Sequence, residues 1–208
     1  MTVPEEWKHG LESNTPPAPY ATDGSDFRGA VRYYYVVAWK NFLKFFPVFF
    51  LLWVQLFAFH LDYLLPVAIV GMFGMVWTLI LLYGRLTSIR KCSKIFQTYP
   101  LEFRTPVEKI GMESTHTLYF RLGDQKGTPF TLRAKDSLGR GRWPVGIVDG
   151  VWFAGDEPFG GAVIVPGGGE LLLLQPRDWR EREEDRNTAG PERIEKAARA
   201  GIKRPFRL

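Results

Sequence analysis

Four sets of residues have types that could do chemistry. Gly167-Gly168-Gly169 could wrap a phosphate with backbone N–H groups, but that use needs a helix N-terminus or a Lys-Ser/Thr pair directly after it. Leu171-Leu172-Leu173-Leu174 follows instead, so the glycines read as a hairpin turn. Asp149, Asp156 and Glu157 bracket a short run around Trp152 and could supply paired carboxylates, to bind a cation or to move a proton. Nothing fixes their separation, and acids beside Gly150, Gly155 and Pro158 are ordinary turn residues. His9, His60 and His116 fall in three segments that do not meet, which excludes a shared metal site or triad. Cys92 is the single cysteine; it rules out an intramolecular disulfide, has no local His partner, and reads as an inert thiol or an S-acylation site. No catalytic residue, cofactor site or metal site follows from these patterns.

The elements that would carry such residues are unevenly built. Over 208 residues the hydrophobic share is 46%, the charged share 24% and the net charge +5, averages that suit a soluble globular chain and exclude a large multi-domain enzyme. The distribution is not average. Residues 45–61 hold no formal charge with His60 neutral, residues 63–84 hold none, and only Asp62 separates them. At about 1.5 Å per residue the second run spans a hydrocarbon layer about 30 Å thick, and the first does so with a few residues borrowed from 41–44. These runs predict a transmembrane hairpin with helices at about 42–61 and 63–84, Asp62 capping the second and Pro66 in its first turn. Pro47 is expected near the start of the first helix, and would kink it if it began as early as Arg32. Ala68, Gly71, Gly74 and Thr78 recur on one side of the second helix as a close-packing surface, for the first helix or for a second copy of the chain. Gln55 could donate to either interface. Arg28, Arg32, Lys40 and Lys44 precede the hairpin and Arg85, Arg90, Lys91 and Lys94 follow it, while the turn has no Lys or Arg. Both termini are therefore expected in the cytoplasm, with the runs acting as anchors in a multi-pass inner-membrane protein.

Outside the hairpin the chain divides by composition. Residues 1–27 are proline-containing and polar, and read as a disordered arm. Residues 28–98 comprise an interfacial helix rich in Tyr, Trp, Arg and Lys, the hairpin, and a helical stalk ending before Pro100. Residues 99–176 have strand chemistry, with candidate strands at 103–110, 115–122, 128–134, 151–154, 161–165 and 170–175. Residues 177–208 form a charged tail, where the 180–185 run reads as a solvated helical end or disordered tail. A short helix opens at Pro191, supported by Glu192–Lys196 and Glu195–Arg199 pairs, with an apolar stripe of Ile194, Ala197 and Ala198 too meagre for strong docking. The fold class is thus an α+β membrane protein: a two-helix transmembrane hairpin, a small antiparallel β-barrel or curled sheet, and a charged C-terminal helix.

Arg133, Lys135, Arg140 and Arg142 with Trp143 form a basic stretch that could face anionic lipid, an acidic partner or nucleic acid, or simply be solvated. Next to an apolar hairpin, the membrane explains interleaved basic and aromatic residues better than nucleic acid does.

The phrases Tyr99-Pro100-Leu101-Glu102-Phe103-Arg104 and Asp149-Gly150-Val151-Trp152-Phe153-Ala154-Gly155-Asp156-Glu157-Pro158-Phe159-Gly160-Gly161, with Gln175-Pro176-Arg177-Asp178-Trp179, resemble uncharacterised small integral membrane proteins of actinobacteria. The resemblance covers about residues 85–180. It implies a bacterial inner-membrane location and no activity. In layout alone the chain also resembles bacterial pleckstrin-like membrane proteins and membrane proteins that end in an oligonucleotide-binding-type barrel. The functional expectation is a non-enzymatic, membrane-anchored adaptor or scaffold that presents its β domain to a protein partner, with membrane lipid as its other contact. The alternatives are an enzyme with a carboxylate-lined cleft at the membrane face and an oligomeric component of a membrane channel or transfer apparatus.

Overall fold

The computed structural model describes residues 27–59, 65–113, 117–123, 130–167, 169–180 and 182–205. Residues 1–26, where a disordered arm is expected, residues 60–64 with the expected Asp62 cap, Gly168 and the three histidines His9, His60 and His116 lie outside the described residues. Two long helices, α1 (Phe27–Phe59) and α2 (Leu65–Thr98), run antiparallel and pack along each other. At 33 and 34 residues each is about 50 Å long, well beyond the ~30 Å of a hydrocarbon layer. Both are long and apolar enough to cross a membrane.

The extra length goes into a β domain. The first turns of α1 bury Ala30, Tyr34 and Ala38, and the last turns of α2 bury Ile89, Cys92, Ile95 and Phe96, all in one apolar cluster with residues of the sheet. The expected interfacial helix and stalk are therefore the sheet-facing ends of two unbroken helices. Pro47 falls in the interior of α1, because the helix begins at Phe27, further upstream than the charge-free run suggests. Beyond the docked ends the helices present Leu43, Val48, Leu51, Val70, Phe73 and Trp77 outward. Only 6% of the most apolar stretch of α1 and 22% of that of α2 is buried within the protein, the reverse of a soluble core helix.

Seven antiparallel strands follow: β1 (Glu102–Arg104), β2 (Val107–Met112), β3 (Leu118–Leu122), β4 (Phe130–Asp136), β5 (Val151–Asp156), β6 (Gly160–Val165) and β7 (Glu170–Pro176). Their spatial order is β1-β5-β6-β7-β4-β3-β2. The strand expected over 103–110 is thus two strands, interrupted at Thr105-Pro106, and the two halves form opposite edges of the sheet. Seven strands spaced about 4.8 Å apart would put those edges nearly 30 Å apart if flat, yet three Cα steps reach about 11 Å at most. The sheet must curl into a half-barrel for that link to exist.

Its concave side holds Leu118, Phe120, Leu132, Val151, Val163 and Leu172, plugged by Ile147 from a single 3-10 turn (Ile147–Asp149). Its convex side, chiefly Ala154, Ala162, Ile164, Leu171 and Leu173, packs against the helices. Burial on both faces explains why β6 and β7 are apolar at consecutive positions, where β3 alternates. At the register Gly155↔Gly161 a Cβ on either residue would lie within 2.6 Å of backbone atoms, so glycine permits the close approach there.

The charged tail is ordered where it is described. Helix α3 (Glu183–Asn187) turns Arg186 inward, where it donates to the carbonyls of Pro158 (3.1 Å) and Trp179 and stacks on the Trp179 ring. Helix α4 (Pro191–Ala200) packs on α2, burying Ala197 and Ala200 with Ile202 behind them. The expected stripe was too sparse because it omitted those last two. Small alanines let the helix approach closely, and Arg193 to Asp156 (3.0 Å) with Lys196 over the Tyr99 ring (4.6 Å) complete the contact.

Candidate functional site

A polar network lies where α1 meets the sheet. Tyr34, fully buried, projects from α1 between Ala30 and Ala38, whose small side chains at i±4 leave room for the sheet to close over it. Its hydroxyl donates to Asp136 Oδ1 (3.1 Å) and accepts from the Leu171 N–H (3.0 Å). Asp136 ends β4; its Oδ2 accepts from the Arg140 N–H (3.0 Å) and lies 3.6 Å from Arg140 Nε. Arg140 then reaches Glu170 Oε1 at the start of β7 (3.3 Å), which Arg142 approaches to 3.7 Å. The guanidinium of Arg140 also sits 5.5 Å from the centre of the Tyr34 ring. Beside the network Cys92 Sγ and Ser137 Oγ are 3.4 Å apart.

Burial raises the Asp136 carboxyl above the usual carboxylate range, against the opposing pull of Arg140 and of the hydrogen bonds it accepts. Glu170 is raised for the same reason, with Arg140 opposing and Asp136 reinforcing. Among the described residues Glu170 Oε2 is buried without a hydrogen-bond partner.

The basic stretch singled out from the sequence is mostly spent internally. Arg133 on β4 donates to Gln175 Oε1 (3.3 Å), Arg140 and Arg142 face Glu170, and Trp143 packs on the concave core with Lys109 over its ring at 5.5 Å. Lys135 alone turns toward α2. There, Ile80, Leu81, Arg85, Ser88 and Lys91 on the helix and Lys135, Asp136, Gly139 and Leu173 on the sheet side line an open cavity of about 530 Å³.

On the packing side of α2, Ala68, Gly71 and Thr78 are buried. A Cβ on Gly71 would stand 2.7 Å from Trp53 N and 2.8 Å from Phe49 O, and one on Gly74 would run into the Phe49 ring. That side faces α1 of the same chain.

The carboxylates picked out by sequence do not converge. Asp149 sits on the exposed 3-10 turn before β5 and Asp156 at the far end of the strand, about 20 Å away at 3.3 Å per residue; Asp156 is taken by Arg193. Glu157 lies in the turn after it. The two acids that do come together, Asp136 and Glu170, are 34 positions apart and join only through the β4–β7 pairing. Ala30, Tyr34 and Ala38 at helical spacing, and an acid heading four consecutive leucines, were the signals that could have revealed them. Gly167 and Gly169 adopt positive φ in the turn between β6 and β7, where they reverse the chain. Among the described residues no group of three His, Cys, Asp or Glu side chains could hold a metal ion. Comparison of the chain with family models, with curated proteins and with solved structures gives no match.

Proposed function

We propose that the chain is a bacterial inner-membrane protein acting as a non-enzymatic adaptor, in which α1 and α2 anchor a cytoplasmic β domain and hold it in one fixed pose for a protein partner. The observation that carries this reading is the continuity of the helices from an outward-facing apolar surface into the apolar cluster and Tyr34 network of the sheet. A domain clamped in this way has little freedom to turn relative to its anchor, which suits presentation of a defined surface. The basic residues support the orientation: all eight that flank the apolar stretches, Arg28 to Lys44 and Arg85 to Lys94, lie on the sheet side of the charge-free runs, as the positive-inside rule asks of a cytoplasmic face.

The surface best suited to a partner is the seam of the half-barrel. The segment 143–150 bridges it, with Trp143 against Lys109 of β2 and Gly150 under the Phe103 ring of β1. Ile147 points into the core, while Val145 and Val148 face out beside the exposed Phe103 and Ile110. Apolar side chains grouped between two edge strands are typical of a docking surface. An enzyme with a carboxylate-lined cleft has less support, because the one carboxylate on the cavity wall, Asp136, is occupied by Tyr34 and Arg140. The oligomeric channel component draws on the small-residue side of α2, which α1 covers.

The test is site-specific photo-crosslinking in native membranes with the probe at Val148 or Ile110, and at the exposed Glu192 as control. One stoichiometric protein captured from the seam positions, absent from the control and lost when Phe103 is changed to Asp, supports the adaptor. Equal capture from all three positions, or none, refutes it.

A further inference from the structure

The cavity between α2 and the sheet straddles a sharp change in chemistry. Ile80, Leu81 and Tyr83 line its apolar side, and Arg85, Ser88 and Lys91 follow within about two turns. Lys135 approaches from β4 across the gap. Among the described residues neither Arg85 nor Lys135 is paired with a carboxylate, while the acid on the wall, Asp136, has its oxygens turned to Tyr34 and Arg140. The cavity therefore presents a cationic rim over an apolar floor.

Gly84 lines this space in the middle of α2, where glycine weakens a helix. Unlike Gly71 and Gly74, whose Cβ atoms would strike α1, Gly84 has no atom within 4 Å of the position a Cβ would take. Gly139, at the opposite wall, is equally open at φ 74°. The packing of the protein itself leaves the space beside Gly84 open, so a side chain placed there would project into the cavity.

We infer that this cavity binds the headgroup of a net-anionic membrane glycerophospholipid, whose phosphate carries no quaternary ammonium to offset its charge or be repelled by the basic rim. Arg85 and Lys135 flank the phosphate, the Ser88 hydroxyl donates to it, and an acyl chain lies along Ile80 and Leu81. The site rests on the membrane reading above, since it needs the boundary between Tyr83 and Arg85 to lie at headgroup depth. It adds a lipid wedge between anchor and domain, directly beside the Asp136 network that holds them together.

The experiment uses the full chain in mild detergent, with native mass spectrometry to count bound lipid and thermal unfolding to report stabilisation. Phosphatidylglycerol should bind in a one-to-one complex and raise the unfolding midpoint, and phosphatidylcholine should do neither. Arg85→Gln with Lys135→Gln should lower phosphatidylglycerol affinity roughly tenfold to thirtyfold, as the loss of two basic contacts at a lipid surface implies. Gly84→Phe should fill the cavity and abolish the complex while leaving the lipid-free midpoint within a few degrees, and Arg90→Gln, outside the cavity on the same helix, should leave binding unchanged. Equal binding of both lipids, equal loss in Arg90→Gln, or indifference to Gly84→Phe would overturn the site. Inorganic phosphate that reproduces the full stabilisation without lipid would also overturn it, in favour of a free anion. Alkaline carbonate extraction separates the two levels. Release of the chain from membranes refutes anchoring, whereas retention with no lipid selectivity refutes the cavity alone.

Discussion

Replacing Tyr34 by Phe removes one oxygen from a fully buried position and leaves the ring packing unchanged. That oxygen serves two partners far away in sequence: it donates to the Asp136 carboxylate at 3.1 Å and accepts from the Leu171 N–H at 3.0 Å. Leu171 is fully buried and Asp136 nearly so, so the substitution leaves a buried backbone donor unsatisfied and strips one hydrogen bond from a buried acid. A neutral bond of this kind contributes about 1 kcal/mol and one to a charged group about 1.5–3 kcal/mol, which gives a loss of roughly 2–4 kcal/mol. For a chain of this size each kcal/mol moves the midpoint by about 2–4 °C, so a fall of roughly 5–15 °C is expected in scanning fluorimetry of the detergent-solubilised protein. Asp136→Asn and the double variant complete a cycle. Because the two side chains touch, their effects should be non-additive by about 1 kcal/mol or more. A midpoint shift under 2 °C, or additivity within about 0.5 kcal/mol, would show that the hydroxyl does not join α1 to the sheet as described.

Two further outcomes follow from the packing and the buried acids. Gly71→Ala should destabilise and Gly71→Leu should do so severely, because even a methyl group meets the backbone of α1 at 2.7–2.8 Å; a lowered unfolding midpoint of the detergent-solubilised chain would report it, and an unchanged midpoint in Gly71→Leu would count against the packing. Burial holds Asp136 and Glu170 above their ordinary values, so the folded chain keeps these protons to a higher pH than the unfolded chain does. From about pH 4 upward through the raised values, stability contributed by the two groups therefore falls as pH rises. The midpoint of the wild type relative to Asp136→Asn should decline across that window; a difference that grows with pH would reverse the assignment.

Much of the architecture was legible because its causes are local. Charge-free runs marked the helices, alternation marked β3, and the glycine-rich reversal marked the β6–β7 hairpin. What escaped depends on contacts that sequence spacing does not encode. The break at Thr105-Pro106 is a single proline in an apparently continuous strand, and only the curl of the sheet makes it the crossing from one edge to the other. The 180–185 charge run resembles a solvated tail until Trp179 and the Pro158 carbonyl are brought to Arg186. The basic stretch at 133–142 looked like open surface because its counter-charge, Glu170, lies 28 residues beyond Arg142 and comes within reach only when β7 pairs with β4. Local pattern reports which face of an element is apolar; it is silent on which distant acid will meet which arginine.

The order in which the chain is made gives the docked helix ends a further significance. The face formed by Ala30, Tyr34, Ile89 and Ile95 is complete once α2 ends at Thr98, but the last strand that covers it, β7, is finished only at Pro176. At about 5–20 residues per second, ribosomes leave that apolar surface without its cover for roughly 4–16 s. During this interval two inward-turned helices protrude with nothing to bury them, a state open to mispairing with neighbouring nascent chains. A chaperone waiting at the exit site, or slow codons placed before β5 that let α1 and α2 settle first, would act on this chain at that moment and not later.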